Sequence, residues 1–172
     1  MKNLFAKGLF AAACLAVLVP AACGAYPDAY IGVFSDPYHY DSDVYIRELY
    51  MQYTSWVWIL PGDDGMMCAE FKLIGPAWNL CIGTTPNPEI VVSLGAPYDA
   101  YGVSACFRTC QTGWTWLYKF DQLPTAANIQ DFIRIVERPD AGAYQVATCK
   151  PGYPLGELII LSYLGLNVWG GG

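Results

Sequence analysis

Four aromatic side chains, Trp114, Trp116, Tyr118 and Phe120, alternate along one stretch of the chain. Successive side chains of a β-strand point to opposite faces, so in a regular strand these four share a face. If that face is exposed, it is a flat platform of the kind on which sugar rings stack. Turned inward, it is sandwich core, where aromatics supply large buried area. The opposite face, Thr115, Leu117 and Lys119, is more polar and favours the inward reading, with Trp56 and Trp58 packing nearby. Trp114, Trp116 and Tyr118 are thus core candidates first and a candidate ligand platform second.

The titratable residues give weaker signals. His39 is the sole histidine, so any Ser-His-Asp or Cys-His site must use it. It sits in the turn-rich segment Tyr38-His39-Tyr40-Asp41, without a G-x-S-x-G elbow or a papain-type cysteine context elsewhere, and reads as an exposed loop histidine. Two of Glu48, Glu70, Glu89, Glu137 and Glu157 could hydrolyse a glycoside if they met across a cleft, but the spacing names no pair. Asp36, Asp41 and Asp43, or Asp63 and Asp64, could offer oxygens to Ca²⁺. The EF-hand pattern is absent, and turn and capping roles account for aspartates in loops. No Walker loop, G-x-G-x-x-G turn or H-E-x-x-H helix is present, so no catalytic residue, cofactor site or metal site is assigned.

The cysteines must be read with the start of the chain. Met1 to Lys7 carries two positive charges and no acid. The uncharged apolar run Gly8 to Pro20 follows, then the small residues Ala21-Ala22-Cys23-Gly24-Ala25. This pattern predicts a secretory signal peptide over residues 1–25, with the mature chain starting near Tyr26. The apolar run is too short for the roughly 20 residues of a spanning helix, so no membrane span is expected. A rival reading makes Cys23 a lipidated first residue, against which stands Pro20 where such sites usually carry leucine. Export to the periplasm or beyond places Cys68, Cys81, Cys106, Cys110 and Cys149 in an oxidising compartment and makes them disulfide candidates. Five is an odd count, so one thiol stays free or pairs between chains, which opens a self-assembly reading. Zinc is the competing reading, but Cys106-x-x-x-Cys110 has no matching second pair.

Residues 26–172 fit one domain with a real core. Losing Lys2 and Lys7 takes the net charge from −6 to −8, which disfavours nucleic acid or an anionic membrane as partner. With 55% hydrophobic and only 14% charged residues, the chain must bury its surface in a core, a partner or an assembly.

The elements that position these residues are strands. Alternating or β-branched and aromatic runs predict about nine, at 30–34, 44–50, 53–60, 66–74, 89–94, 113–121, 132–137, 144–149 and 157–164. Pro- and Gly-rich turns separate them, at 61–65, 83–88, 95–97, 139–142 and 150–154. Strands at this spacing predict an all-β antiparallel sandwich or barrel. The clearest expected hairpin is 53–74, reversing at Asp64-Gly65, with Met67, Ala69, Phe71 and Leu73 inward and Cys68, Glu70 and Lys72 outward. Ile90, Val92 and Leu94 are likewise expected inward, and 157–164, apolar on both faces, reads as a central or covered strand. The segments 54–59 and 112–117 echo each other, as two strands meeting similar packing demands would. The terminal Gly170-Gly171-Gly172 reads as a frayed end.

Tyr30-Ile31-Gly32-Val33-Phe34-Ser35-Asp36, Cys68-Ala69-Glu70-Phe71-Lys72 and Ala147-Thr148-Cys149 together resemble a loose group of uncharacterised secreted bacterial proteins. The resemblance implies an immunoglobulin-like or cohesin-like β-sandwich and carries over no functional residue. Where that group would place a cysteine soon after its start, this chain has Pro37-Tyr38-His39-Tyr40, which leaves Cys68 or Cys81 without an obvious mate. The preferred bridge joins Cys110 to Cys149, resting only on these two cysteines flanking the later strands. The resulting expectation is an exported, non-catalytic binding or structural module for an unknown protein or glycan partner. The alternatives are a carbohydrate-binding domain with an exposed tryptophan face and a secreted glycoside hydrolase with unrecognised carboxylates.

Overall fold

Apolar residues at every second position generate twelve strands, as seen in the computed structural model, which describes residues 28–140, 142 and 144–168. The expected signal peptide, Cys23, the mature start near Tyr26 and the Gly170–Gly172 tail lie outside the described residues. The strands are β1 (Ala29–Phe34), β2 (Asp43–Val44), β3 (Tyr53–Pro61), β4 (Met66–Ile74), β5 (Asn79–Pro86) and β6 (Ile90–Gly95). They continue as β7 (Val103–Gln111), β8 (Thr115–Pro124), β9 (Asp131–Val136), β10 (Gln145–Thr148), β11 (Leu155–Ser162) and β12 (Leu164–Leu166).

Two layers enclose the core. The first runs β11-β1-β3-β8-β5, the second β6-β7-β4-β10-β11. β11 belongs to both: its start pairs with β10, and Leu158 onward pairs in parallel with β1, which closes that side of the sandwich. The far half of β4, Lys72–Ile74, pairs with β9, and β12 and β2 extend the sheet there. The opposite side is open, since β5 pairs with β8 alone and β6 with β7 alone.

The all-β sandwich agrees with the sequence reading, and several details differ. The expected strand at 44–50 is two residues long, followed by a loop in which Tyr50 holds φ 61°. β5 runs through residues read as a turn, and β7 lies where no strand was predicted. The expected hairpin of β3 and β4 is a crossover between layers: β3 pairs with β1 and β8, β4 with β7, β9 and β10. The reason is burial, because Val57 and Ile59 of β3 and Ala69, Phe71 and Leu73 of β4 are all fully covered, as apolar faces on opposing sheets must be. Gly65 at the crossover takes φ 65° and lies against the Cys110–Cys149 disulfide, where a Cβ would strike the Cys110 sulfur.

One-residue bulges reset the alternation, since an extra residue on one strand moves everything beyond it to the other face. In β4 the bulge falls at Met67 against β10, so Met66, not Met67, is buried. In β6 it falls at Val91: Ile90 packs against the core, while Val92 and Leu94, expected inward, are exposed. β11 is central by pairing but bare on one face, with Leu155, Ile159 and Leu161 exposed, so it is not covered as expected.

At one end of the core a polar network replaces apolar packing. Tyr53 donates to the Asn79 side chain at 3.0 Å, Asn79 Nδ2 donates to Gln122 Oε1 at 3.1 Å, and Gln122 Nε2 donates to Ser55 Oγ and to the Tyr98 hydroxyl. Gln122 and Ser55 have no solvent exposure. Burial pushes the Tyr53 and Tyr98 phenols well above their ordinary range, and the nearby Cys81 adds to this.

Truncating the hub, Gln122→Ala, orphans the buried Ser55 and Asn79 and the half-buried Tyr98 hydroxyl and opens a cavity, so urea unfolding should show a loss on the order of 3 kcal/mol. A loss below about 0.5 kcal/mol would mean that water replaces the hub at little cost. A phenol whose folded pKa is raised keeps its proton when the unfolded chain has lost it. Stability should therefore fall as pH rises above about 10, the unfolded tyrosine value. Tyr98→Phe should flatten that alkaline slope, and an unchanged slope would remove Tyr98 as its source.

Candidate functional site

The outer face of the second layer carries an ordered surface. In β7, Val103, Ala105 and Phe107 are buried, so Ser104, Cys106 and Arg108 point away from the core. Directly paired residues share a face, which lets the registers be followed across five strands. Val92 pairs with Cys106, Cys106 with Cys68, Cys68 with Ala147, and Ala147 with Leu155. This row is apolar throughout, and Cys68 and Cys106 at its middle are joined as a disulfide. With neighbouring strands about 4.8 Å apart it spans about 19 Å. Its ends are bare, Val92 at 44% and Leu155 at 67% exposure. The next row is Leu94, Ser104, Glu70, Gln145 and Glu157. Glu70 is held there by Arg138 at 3.2 Å, which also pairs with Asp140.

The aromatic stretch divides. Val57 pairs with Tyr118 and Trp58 with Trp116, leaving Leu117 as the extra residue of a bulge in β8. Tyr118 and Phe120 are buried, Tyr118 with its hydroxyl 2.8 Å from Ser93 Oγ. Trp114 and Trp116, before the bulge, are half-buried on the outer face of the first layer. Tyr118 is therefore core and no part of a platform, while Leu117, read as the polar face, is fully buried. On the outer face Trp116 packs edge-on against Trp56 at 5.4 Å, and the two echoed segments meet at their ends, where Trp58 pairs with Trp116 and Ile59 with Thr115. His39 stacks on Trp114 at 4.1 Å and lies 5.0 Å from Trp58. The expected exposed loop histidine is thus half-buried, because its ring covers a tryptophan.

Several of the remaining candidates have structural partners. Asp36 accepts the backbone N–H groups of Tyr38, Tyr40 and Asp41, which folds the loop that carries His39. Asp41 accepts from Asp43, and Asp64 pairs with Lys150. Among the described residues no group of three or more His, Cys, Asp or Glu could hold a metal ion. Of the five glutamates, Glu137 and Glu157 line one open groove with Tyr144 and Tyr163. Both are solvent-exposed. Cys110 bonds to Cys149, and Cys81 is a half-buried thiol that donates weakly to Gly83 O at 3.4 Å.

The row from Val92 to Leu155 is missed in the sequence because β7, its second strand, goes unrecognised. Alternation at 103–108, apolar at 103, 105 and 107, is the signal that could have found it.

No family model matches the chain, and no curated protein matches it. Solved structures do. A cohesin module of a family 33 glycoside hydrolase from Clostridium perfringens superposes with TM-score 0.54 at 12% identity, over 80% of this chain and 99% of that one. The seventh ScaB type I cohesin of Pseudobacteroides cellulosolvens gives TM-score 0.54 at 9% identity, over 84% and 94%. A CaDoc–CaCohA2 complex gives TM-score 0.51 at 12% identity, over 81% and 99%. The fold is thus a β-sandwich of the cohesin type.

Protein spanning residues 26–172, unfolded without reductant, should expose one alkylatable thiol per chain, at Cys81, as intact-mass measurement would record. Three or more would contradict the two bridges, and none would place Cys81 in a bond to another chain.

Proposed function

We propose that this chain is an exported, non-catalytic protein-binding module that docks its partner on the outer face of β4, β6, β7, β10 and β11. The observation that carries the reading is the apolar row from Val92 through the Cys106–Cys68 disulfide to Leu155, with polar groups beside it. Interfaces combine a desolvated apolar centre with a polar rim in this way. The disulfide ties the two middle strands together, so little conformational freedom is lost on binding. Two bridges in one domain suit an oxidising compartment, and one neighbour of the same fold was solved as a complex.

The glycan reading of the tryptophan face has less support. Trp56 and Trp116 already pack edge to face and His39 covers Trp114, so these tryptophans do not present a flat row of rings to a sugar.

Val92→Arg and Leu155→Arg place a charge in the proposed contact and touch no buried group, so unfolding temperatures should stay near the parent's. Retention of a native partner from the exported fraction should fall by 30-fold or more, about 2 kcal/mol, while Trp116→Ala leaves it unchanged. Equal retention by parent and both arginine variants, measured by quantitative pull-down, would remove this face from the function.

A further inference from the structure

Far along the sheet from the proposed docking face, the loop after β2 meets the segment before β9 and the turn after β12. Together they border an open pocket of about 400 Å³ lined by Tyr45, Arg47, Asn128, Gln130 and Asn167, of which only Asn167 is buried. Its walls are fixed by the chain's own bonds. Ile46 is buried and anchors the loop, and its N–H donates to Asn167 Oδ1 at 2.6 Å. Asn167 Nδ2 donates to Ile129 O at 3.0 Å, and the backbone N–H of Asn167 donates to Val44 O. Asn167 thereby ties all three segments together. It and Asn128 both hold positive φ, 56° and 58°, a conformation that asparagine tolerates better than most residues. The Tyr45 hydroxyl donates to Val168 O, which orients the ring.

Of the side chains facing the cavity, Arg47, Asn128 and Gln130 take no part in these bonds. Lys72, Lys119, Arg138 and Lys150 each have a carboxylate or carbonyl partner. Arg47 has none among the described residues, as is also true of Arg108 and Arg134 elsewhere on the surface, nor do the side-chain amides of Asn128 and Gln130. No acid is among the described lining residues, although the chain as a whole carries a net charge of −6. A free guanidinium in such a place is a fork for a carboxylate. The backbone N–H groups of Ile46, Asn128 and Asn167 are all engaged internally, so an incoming carboxylate would be held by Arg47 and not by a backbone nest. The two free amides each offer a donor and an acceptor, which suits neighbouring hydroxyls, and Tyr45 provides an aromatic wall. Among the described lining residues there is no aliphatic side chain of the kind a peptide residue would need.

We propose that this cavity binds an acidic sugar, a uronate unit of a polysaccharide, with its carboxylate on Arg47 and its hydroxyls on Asn128 and Gln130. The volume lies at the small end of ligand sites, which fits one or two sugar units. The site is separate from the docking face and does not depend on it.

Calorimetric titration of the folded chain with galacturonic acid and its trimer, against galactose and against glutamate, tests the assignment. A charge-assisted bidentate contact predicts that galacturonate binds at least 10-fold tighter than galactose, and that Arg47→Ala loses at least that factor while Arg47→Lys recovers part of it. Gln130→Ala, at an exposed position, should weaken binding of galacturonate too. Val92→Arg and Trp116→Ala should change nothing, which separates this site from the docking face and from the tryptophans. The proposal is overturned if galactose binds as tightly as galacturonate, if glutamate binds more tightly, if Arg47→Ala binds like the parent, or if millimolar galacturonate trimer gives no saturable heat.

Discussion

A strand keeps its side chains on fixed faces only while its register holds, and in this molecule single extra residues decide which faces those are. Met67 in β4, Ile82 in β5, Val91 in β6, Leu117 in β8 and Leu161 in β11 are each left over between paired neighbours. Each shift exchanges inside and outside for the rest of its strand. The bulge at Leu117 sends Tyr118, Phe120 and Gln122 into the core and leaves Trp114 and Trp116 on the surface. The bulge at Val91 brings Val92 and Leu94 out beside Cys106 and Ser104. Core composition, the aromatic face and the apolar row all follow from these steps.

β7 is the strand on which the second layer is organised. It pairs with β6 and β4, and a disulfide leaves it in each half, Cys106 to Cys68 within the sheet and Cys110 to Cys149 against the layer crossover at Gly65. Each bridge spans nearly forty residues, 38 and 39, so each constrains the unfolded chain substantially, by about 3–4 kcal/mol in the chain-entropy account. The Cys68–Cys106 bond, which stiffens the sheet, also puts a half-buried sulfur pair in the middle of an outward face, so stability and surface chemistry are joined in one feature.

The molecule offers surfaces and a small open pocket lined by polar side chains and a tyrosine. Its aspartates fold loops, its buried tyrosines and Gln122 fasten one end of the core, and His39 covers Trp114. Many of its polar side chains are spent on architecture, and among those left exposed Val92, Leu94, Leu155 and Arg47 are placed for contact.

Alternation and turn chemistry determined the all-β class and most strand positions, because burial of one face imposes a period of two over any length of strand. The cysteine positions and the apolar start determined an export reading with disulfides. The short strand at 43–44, the strand at 79–86 that passes through turn-forming residues, and the path of β3 and β4 into different layers were decided by tertiary pairing. So were the bulges. Whether Trp116 is core or surface depends on one residue of slip against β3, an energy shared among many cross-strand contacts and written in no local pattern. The cavity around Arg47 joins residues more than 120 positions apart, and only the fold brings Asn167 to Ile46.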